Sequence, residues 1–249
     1  METITTPQGR RLAVMRQAGQ GPHVIFLGGF RSDMTGTKAA WLSDWAQERG
    51  RAFIRFDYSG HGQSECLFEE GTIGRWAEDA EAVLDLAPGP VVLVGSSMGG
   101  WISLLLARRM PERIAGLVTI AAAPDFTEDG YWANASDFLR QKLMADGVIH
   151  IPSDYGAPYP ITRALIEDGR RHLLFGAPIA PGCPVHILQG MRDPDVPFAH
   201  ALELVEHLPG DDVALTLVRD GDHRLARPED LERLFDAIEG LPVRAREGR

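Results

Sequence analysis

Cysteine is scarce in this chain: Cys66 and Cys183 are the only two in 249 residues. They lie far apart, match no CxxC or metal spacing, and are expected to be reduced thiols rather than a structural disulfide. Long apolar runs are missing too. None approaches the ~18 residues that a membrane-crossing helix needs, so no span is expected. The opening METITTPQGRR carries no apolar leader core and turns strand-like at once. On this reading there is no signal or transit peptide, and a cytoplasmic location is expected. Positive charge is also in deficit, with 25 Lys and Arg against 35 Asp and Glu and a formal net charge of −10. Such a surface repels a phosphate backbone, which argues against a nucleic-acid partner. The one locally basic stretch, VRAREGR after Pro242, reads as a frayed tail. Cofactor signatures are lacking as well. Gly36-Thr37-Lys38 has neither the Gly-Lys pair of a P-loop nor a Ser or Thr after the lysine, and Gly95 to Gly100 lacks the GxGxxG spacing. No His/Asp/Glu cluster has zinc spacing. The sequence therefore asks for no cofactor and no metal.

What is present is an ordinary globular composition, 44% hydrophobic with aromatics spread along the chain. That predicts a sizeable core and a single α/β domain over residues 1–249. Thr3 to Thr5 and Arg11 to Arg16 alternate around a Pro-Gln-Gly turn and predict a hairpin. Short apolar runs predict buried strands at Val24 to Leu27, Ala52 to Phe56, Val91 to Val94, Ile114 to Ala121, Val185 to Gln189 and Ala214 to Val218. Helical spacing predicts helices at Thr37 to Arg49, Trp76 to Leu86, Met98 to Arg109, Phe198 to His207 and Pro228 to Glu239. Strands separated by helices of this length need crossover connections, which implies a mainly parallel sheet of about eight strands with one antiparallel strand from the hairpin. Residues 122 to 181 break the alternation and are too long for a plain connection. Two amphipathic helices are expected there, one carrying Ala135, Phe138, Leu139 and Leu143 and one over Thr162 to Phe175, with Tyr131, Trp132, Tyr155 and Tyr159 in and between them. The plain reading is a helical excursion packed for stability. The preferred one is a lid over the C-terminal edge of the sheet, where open α/β sheets bind ligands.

One junction stands out. In VLVGSSMGGW, starting at Val92, an apolar strand meets an apolar helix across Gly95-Ser96-Ser97-Met98-Gly99. A serine hydroxyl is a weak nucleophile and needs both exposure and a base. A strand-to-helix elbow gives exposure, with the serine at the tip and glycines two residues to either side where the chain is crowded. By that spacing Ser97 is the nucleophile and Ser96 is not. The N–H of Met98, at the start of the helix, is then one oxyanion donor. The loop Gly28-Gly29-Phe30 after the Val24 strand supplies the second, assigned to the N–H of Phe30.

The base and acid of such a site follow later strands, in the order serine, acid, histidine. After the strand ending at Gln189 comes GMRDPDVP, with Asp193 and Asp195. After the strand ending at Val218 comes RDGDHRL, with His223. His223 is the expected base because it alone among the eight histidines sits in the loop expected of the last triad member. His61, in the loop DYSGHGQS, is its rival. Asp193 is preferred to Asp195 as the acid, because it leaves Asp-x-x-Val-Pro before the next helix. Asp125 in AAPDF is a third candidate.

The segments GGFRSDMTGTKA, AFIRFDYSGHGQS, LVGSSMGGW, GMRDPDVP and DHR together make a pattern. Over nearly its whole length the chain resembles the α/β-hydrolase superfamily, and within it the animal mitochondrial thioesterases that act on palmitoylated proteins and acyl glucuronides. The resemblance implies Ser97, Asp193 and His223 as the triad. It also implies hydrolysis of a thioester or ester in a small molecule or an acylated protein, through a covalent acyl-enzyme. Two other readings stay open: cleavage of a carbon–carbon bond by the same triad, and a small-molecule receptor without turnover.

Overall fold

A computed structural model describes residues 1–152, 158–210 and 212–242. Tyr155 and the basic tail lie outside the described residues. The chain opens with β1 (Glu2–Thr5), β2 (Arg11–Gln17) and β3 (Gln20–Leu27), and continues with α1 (Thr37–Glu48), β4 (Arg51–Phe56), α2 (Ile73–Leu84), β5 (Val91–Ser96), α3 (Met98–Arg109) and β6 (Ile114–Ile120). A π-helical turn at Phe126–Trp132 precedes α4 (Asp137–Asp146), β7 (Val148–Ile151), β8 (Tyr159–Thr162) and α5 (Arg163–Gly169). The chain then returns through β9 (Val185–Gly190), α6 (Phe198–His207), β10 (Val213–Val218) and α7 (Pro228–Glu239).

Eight strands form one sheet in the order β1-β2-β4-β3-β5-β6-β9-β10. β2 pairs antiparallel with both β1 and β4, and every other neighbouring pair is parallel. The expected single antiparallel strand is therefore β2. The central strand β5 is buried along its whole length, as a parallel strand covered on both faces must be. Alternation along β3 divides the core: Ile25 and Leu27 face the layer of α2 and α3, while Val24 and Phe26 face α1 and α7. In α7, Leu231, Leu234, Phe235 and Ile238 make the buried stripe, with Pro228 in the first turn and Glu229 and Asp230 beside its N-terminus.

Two expectations change. α2 starts at Ile73 rather than Trp76, because Thr72 caps it by accepting the Arg75 N–H. The segment between β6 and β9 holds less helix than its periodicity suggests. α5 stops at Gly169, and before it β7 and β8 pair as a two-stranded antiparallel ribbon. The segment is pinned onto the main body by side-chain bonds. Asp168 accepts the Gly74 N–H at the start of α2 (2.6 Å), and the Trp101 indole donates to the His172 carbonyl (3.1 Å). Buried Asp125 accepts the N–H groups of Leu174 and Phe175.

Candidate active site

Ser97 is the single residue between β5 and α3. Its φ of 53° and ψ of −116° lie outside the regions that residues with a side chain normally occupy. Backbone bonds on both sides hold it there. The Ser97 N–H donates to the Ile120 carbonyl (2.9 Å), and its own carbonyl accepts from Gly100 (2.9 Å) and Ala123 (3.2 Å). The flanking glycines are required by contact. A Cβ at position 95 would lie 2.4 Å from the Gly99 carbonyl oxygen, and one at position 99 would lie 2.1 Å from that of Leu27. Met98 opens α3, so helix geometry leaves its N–H without an intrahelical acceptor.

The loop after β3 passes beside this turn. A Cβ on Gly29 would touch both the Ser96 carbonyl and the Ser97 Cβ at 3.4 Å. Gly29 to Ser32 is a tight turn closed by the Ser32 N–H on the Gly29 carbonyl (3.0 Å), with Arg31 at φ 57°.

The two later loops converge on the same rim. Asp193 follows β9 and His223 follows β10, and Nδ1 of His223 lies 2.8 Å from Oδ2 of Asp193. An ionised carboxylate only accepts, so Nδ1 carries a proton and Nε2 is the nitrogen turned away from Asp193. Burial of the Asp193 side chain pushes its pKa up, but His223 and the amides of Val196 and Asp195 outweigh burial and hold it below the usual carboxylate value. The carboxylate is fixed further by the buried Gln189 amide (3.0 Å), which also donates to the Gly190 and Val196 carbonyls. Gln189 went unread in the sequence beyond marking a strand end. The signal available was a lone amide closing an otherwise apolar strand just before the acidic loop.

Ser97 and His223 both line a cavity of about 530 Å³, together with Phe30, Lys38, Asp195 and Arg224. Phe126, Tyr131 and Tyr159 wall it from the segment between β6 and β9. Phe30 meets these three rings at centroid distances of 5.6–6.4 Å, so one side of the cavity is aromatic. No hydrogen bond joins the Ser97 hydroxyl to the His223 ring; such contacts are often loose before substrate arrives. Lys38 donates to the Arg224 carbonyl at 2.5 Å, and desolvation brings its pKa down to about 8.

Asp195 shares the cavity wall, and the remaining candidates fall elsewhere. Asp195 reaches Asp193 through its own N–H. Asp125 spends its carboxylate on Leu174 and Phe175. His186, His200 and His207 bond to Thr216, Pro124 and Phe175 respectively. His61 is buried away from the cavity wall. Among the described residues, the ligand atoms of Asp193, Asp195 and His223 come within 4.8 Å of one another, a spacing that also suits a metal ion. Cys66 is an exposed free thiol, and no described helix is long and apolar enough to cross a membrane.

Comparison with known proteins bears on this geometry. A family described as "alpha/beta hydrolase fold" matches residues 22–159. The chain belongs to the α/β-hydrolase family. Within it, the chain is 36% identical over 233 residues to the mouse protein named "Palmitoyl-protein thioesterase ABHD10, mitochondrial", covering 92% of this chain and 78% of that one. Among solved structures, this α/β hydrolase superposes on a putative hydrolase from Agrobacterium vitis S4 with a TM-score of 0.93 at 51% identity, covering 96% and 97% of the two chains. It superposes on mouse α/β-hydrolase domain-containing protein 10 with a TM-score of 0.89 at 35% identity, covering 96% of each. One expectation is overturned. The cytoplasmic placement rested on the lack of an apolar leader, yet relatives that match over nine-tenths of this α/β hydrolase are named as mitochondrial proteins.

Proposed function

We propose that this α/β hydrolase is a serine hydrolase that cleaves acyl thioesters or carboxylic esters through an acyl-enzyme on Ser97. The observation that carries the reading is Ser97 held in a disfavoured backbone conformation at the rim of a cavity that His223, backed by Asp193, also lines. Proteins keep such strain where the surroundings over-determine it, most often at functional sites.

In the proposed cycle, Nε2 of His223 takes the Ser97 proton as Oγ attacks the acyl carbonyl carbon. Asp193 holds the ring in the required tautomer and stabilises the imidazolium that forms. The N–H groups of Phe30 and Met98 receive the developing oxyanion. Losing one such donor costs ~10²–10³ in turnover. His223 then gives its proton to the departing thiolate or alkoxide. Water, deprotonated by the same ring, releases the acid and restores Ser97. The aromatic wall of Phe30, Phe126, Tyr131 and Tyr159 suits an apolar acyl group, and the insertion that carries three of these rings is read as a lid. The names of relatives, a palmitoyl-protein thioesterase and a pimeloyl-[acyl-carrier protein] methyl ester esterase, point to the same bond classes. The reading takes residues 1–249 as one domain.

The test is a fluorophosphonate probe combined with p-nitrophenyl esters and acyl thioesters of graded chain length. Labelling and turnover by the native chain, both lost in Ser97→Ala and His223→Ala, are expected. A native chain that neither labels nor turns over any member of the series refutes the proposal.

A further inference from the structure

His61 is the most enclosed imidazole of the chain, and its bonds end on the loop beside Ser97. It is 4% exposed and meets the rings of Tyr58, Phe68 and Trp76 edge-on at 5.0–5.6 Å. Its Nε2 accepts the N–H of Arg31 at 3.2 Å. Its Nδ1 faces the Ser59 carbonyl at 3.3 Å. One nitrogen accepts and the other donates, which is the bonding of a neutral imidazole. Arg31 and Asp33 are the charged groups that face it.

Arg31 occupies the third position of the Gly29–Ser32 turn with positive φ, the type II arrangement that favours glycine or asparagine. An arginine there prefers the alternative turn, in which the peptide between Phe30 and Arg31 is rotated by about 180°. The observed rotation directs the Arg31 N–H at His61. The two loops are also joined by Asp57, which accepts the Met34 and Gln63 N–H groups, but neither of those bonds touches the 30–31 peptide.

We propose that His61 is a positioning residue for acyl transfer: its Nε2, by holding the Arg31 N–H, fixes the 30–31 peptide in its strained rotation and so keeps in place the turn whose preceding peptide carries the Phe30 N–H for the oxyanion. This rests on the serine-hydrolase reading above, with Phe30 as an oxyanion donor. His61 itself touches no reacting atom. Its contribution is felt in the transition state, where the donor must already be aimed, and little in the binding of the substrate ground state.

The experiment compares the full chain with His61→Leu, His61→Gln and His61→Asn on p-nitrophenyl butyrate, and measures inhibition by butylboronic acid as a tetrahedral mimic. The Gln side chain carries its amide oxygen to the place of Nε2, whereas Asn stops short at the place of Nδ1. Leu and Asn are expected to lower kcat by about 10²-fold with KM within about twofold, and to weaken the boronate in step with kcat. Gln is expected to recover at least about tenfold of that loss. Adding Arg31→Gly to His61→Leu should recover kcat as well, because glycine accepts the positive φ without outside help. If Leu fails to fold, the Gln and Asn pair decides. Wild-type kcat in Leu or Asn, or Gln no better than Asn, overturns the proposal while leaving the serine-hydrolase reading intact. A wild-type chain without labelling or turnover takes both down.

Discussion

Gly99 lies so close to Leu27 that a single added carbon would sit 2.1 Å from the Leu27 carbonyl oxygen. The obstacle is backbone on a central strand, which no rotamer change relieves. Gly99→Ala is therefore expected to destabilise the fold by at least about 3 kcal/mol, beyond the usual cost of an overpacked core. Gly95→Ala should behave alike, since its Cβ would meet the Gly99 carbonyl. Urea denaturation midpoints, or recovery of soluble protein, check this; a midpoint within experimental error of wild type contradicts it.

Ser97→Gly should move stability the other way. Glycine enters the observed φ and ψ without steric cost, so the variant is expected to gain about 1 kcal/mol while losing all turnover. Ser97→Ala keeps the strain and should show the same loss of activity without the gain. Thermal melts of the three proteins separate them.

Asp193 and Asp195 stand two residues apart in one loop, but only Asp193 bonds to the His223 ring. Asp193→Asn is expected to lower kcat by about 10³–10⁴-fold, with KM little changed, because the amide favours the wrong imidazole tautomer. Asp195→Asn should stay within about tenfold of wild type. Gln189→Leu removes one donor to the carboxylate and is expected to fall between the two. Equal losses at 193 and 195 would reassign the acid.

Desolvation drives the His61 pKa down to about 4, with Arg31 adding to the shift and the Ser59 carbonyl opposing it. In the unfolded chain the ring titrates near its ordinary 6.5. Above that pH it is neutral in both states and native stability is complete. Between about 6.5 and about 4 the unfolded chain takes up a proton that the native state refuses, so stability falls as pH drops. Below about 4 both states are protonated and this loss ends. Urea titrations at pH 7 and pH 4.5 should show wild type losing about 2–3 kcal/mol more than His61→Gln. Equal losses would mean that the ring is not held neutral.

The alternation of strands and helices was legible because the buried runs are long and the helices carry clean apolar stripes, as in β5 and α7. The elbow was legible because its chemistry is local: one serine, with glycines placed where the chain touches itself. What escaped was non-local or short. β7 and β8 have four residues each, and Pro160 within the second speaks against a strand until its pairing with His150 is seen. The π-helical turn at Phe126–Trp132 matches neither a helix nor a strand period. His61 reads as a rival base because nothing in DYSGHGQS tells that the ring closes on an amide thirty positions earlier in the chain. The Gln189–Asp193 bond is local in sequence, yet a carboxamide in a strand carries no mark of its partner.

The sheet order has a consequence for synthesis. β5 leads into Ser97, whereas β9 and β10, which are followed by Asp193 and His223, join the far side of the sheet through β6. A ribosome has therefore exposed the elbow long before position 223 leaves its tunnel. On the serine-hydrolase reading proposed above, a nascent chain that has not yet supplied position 223 is expected to be chemically silent toward esters, so the docking of β10 acts as a safety catch.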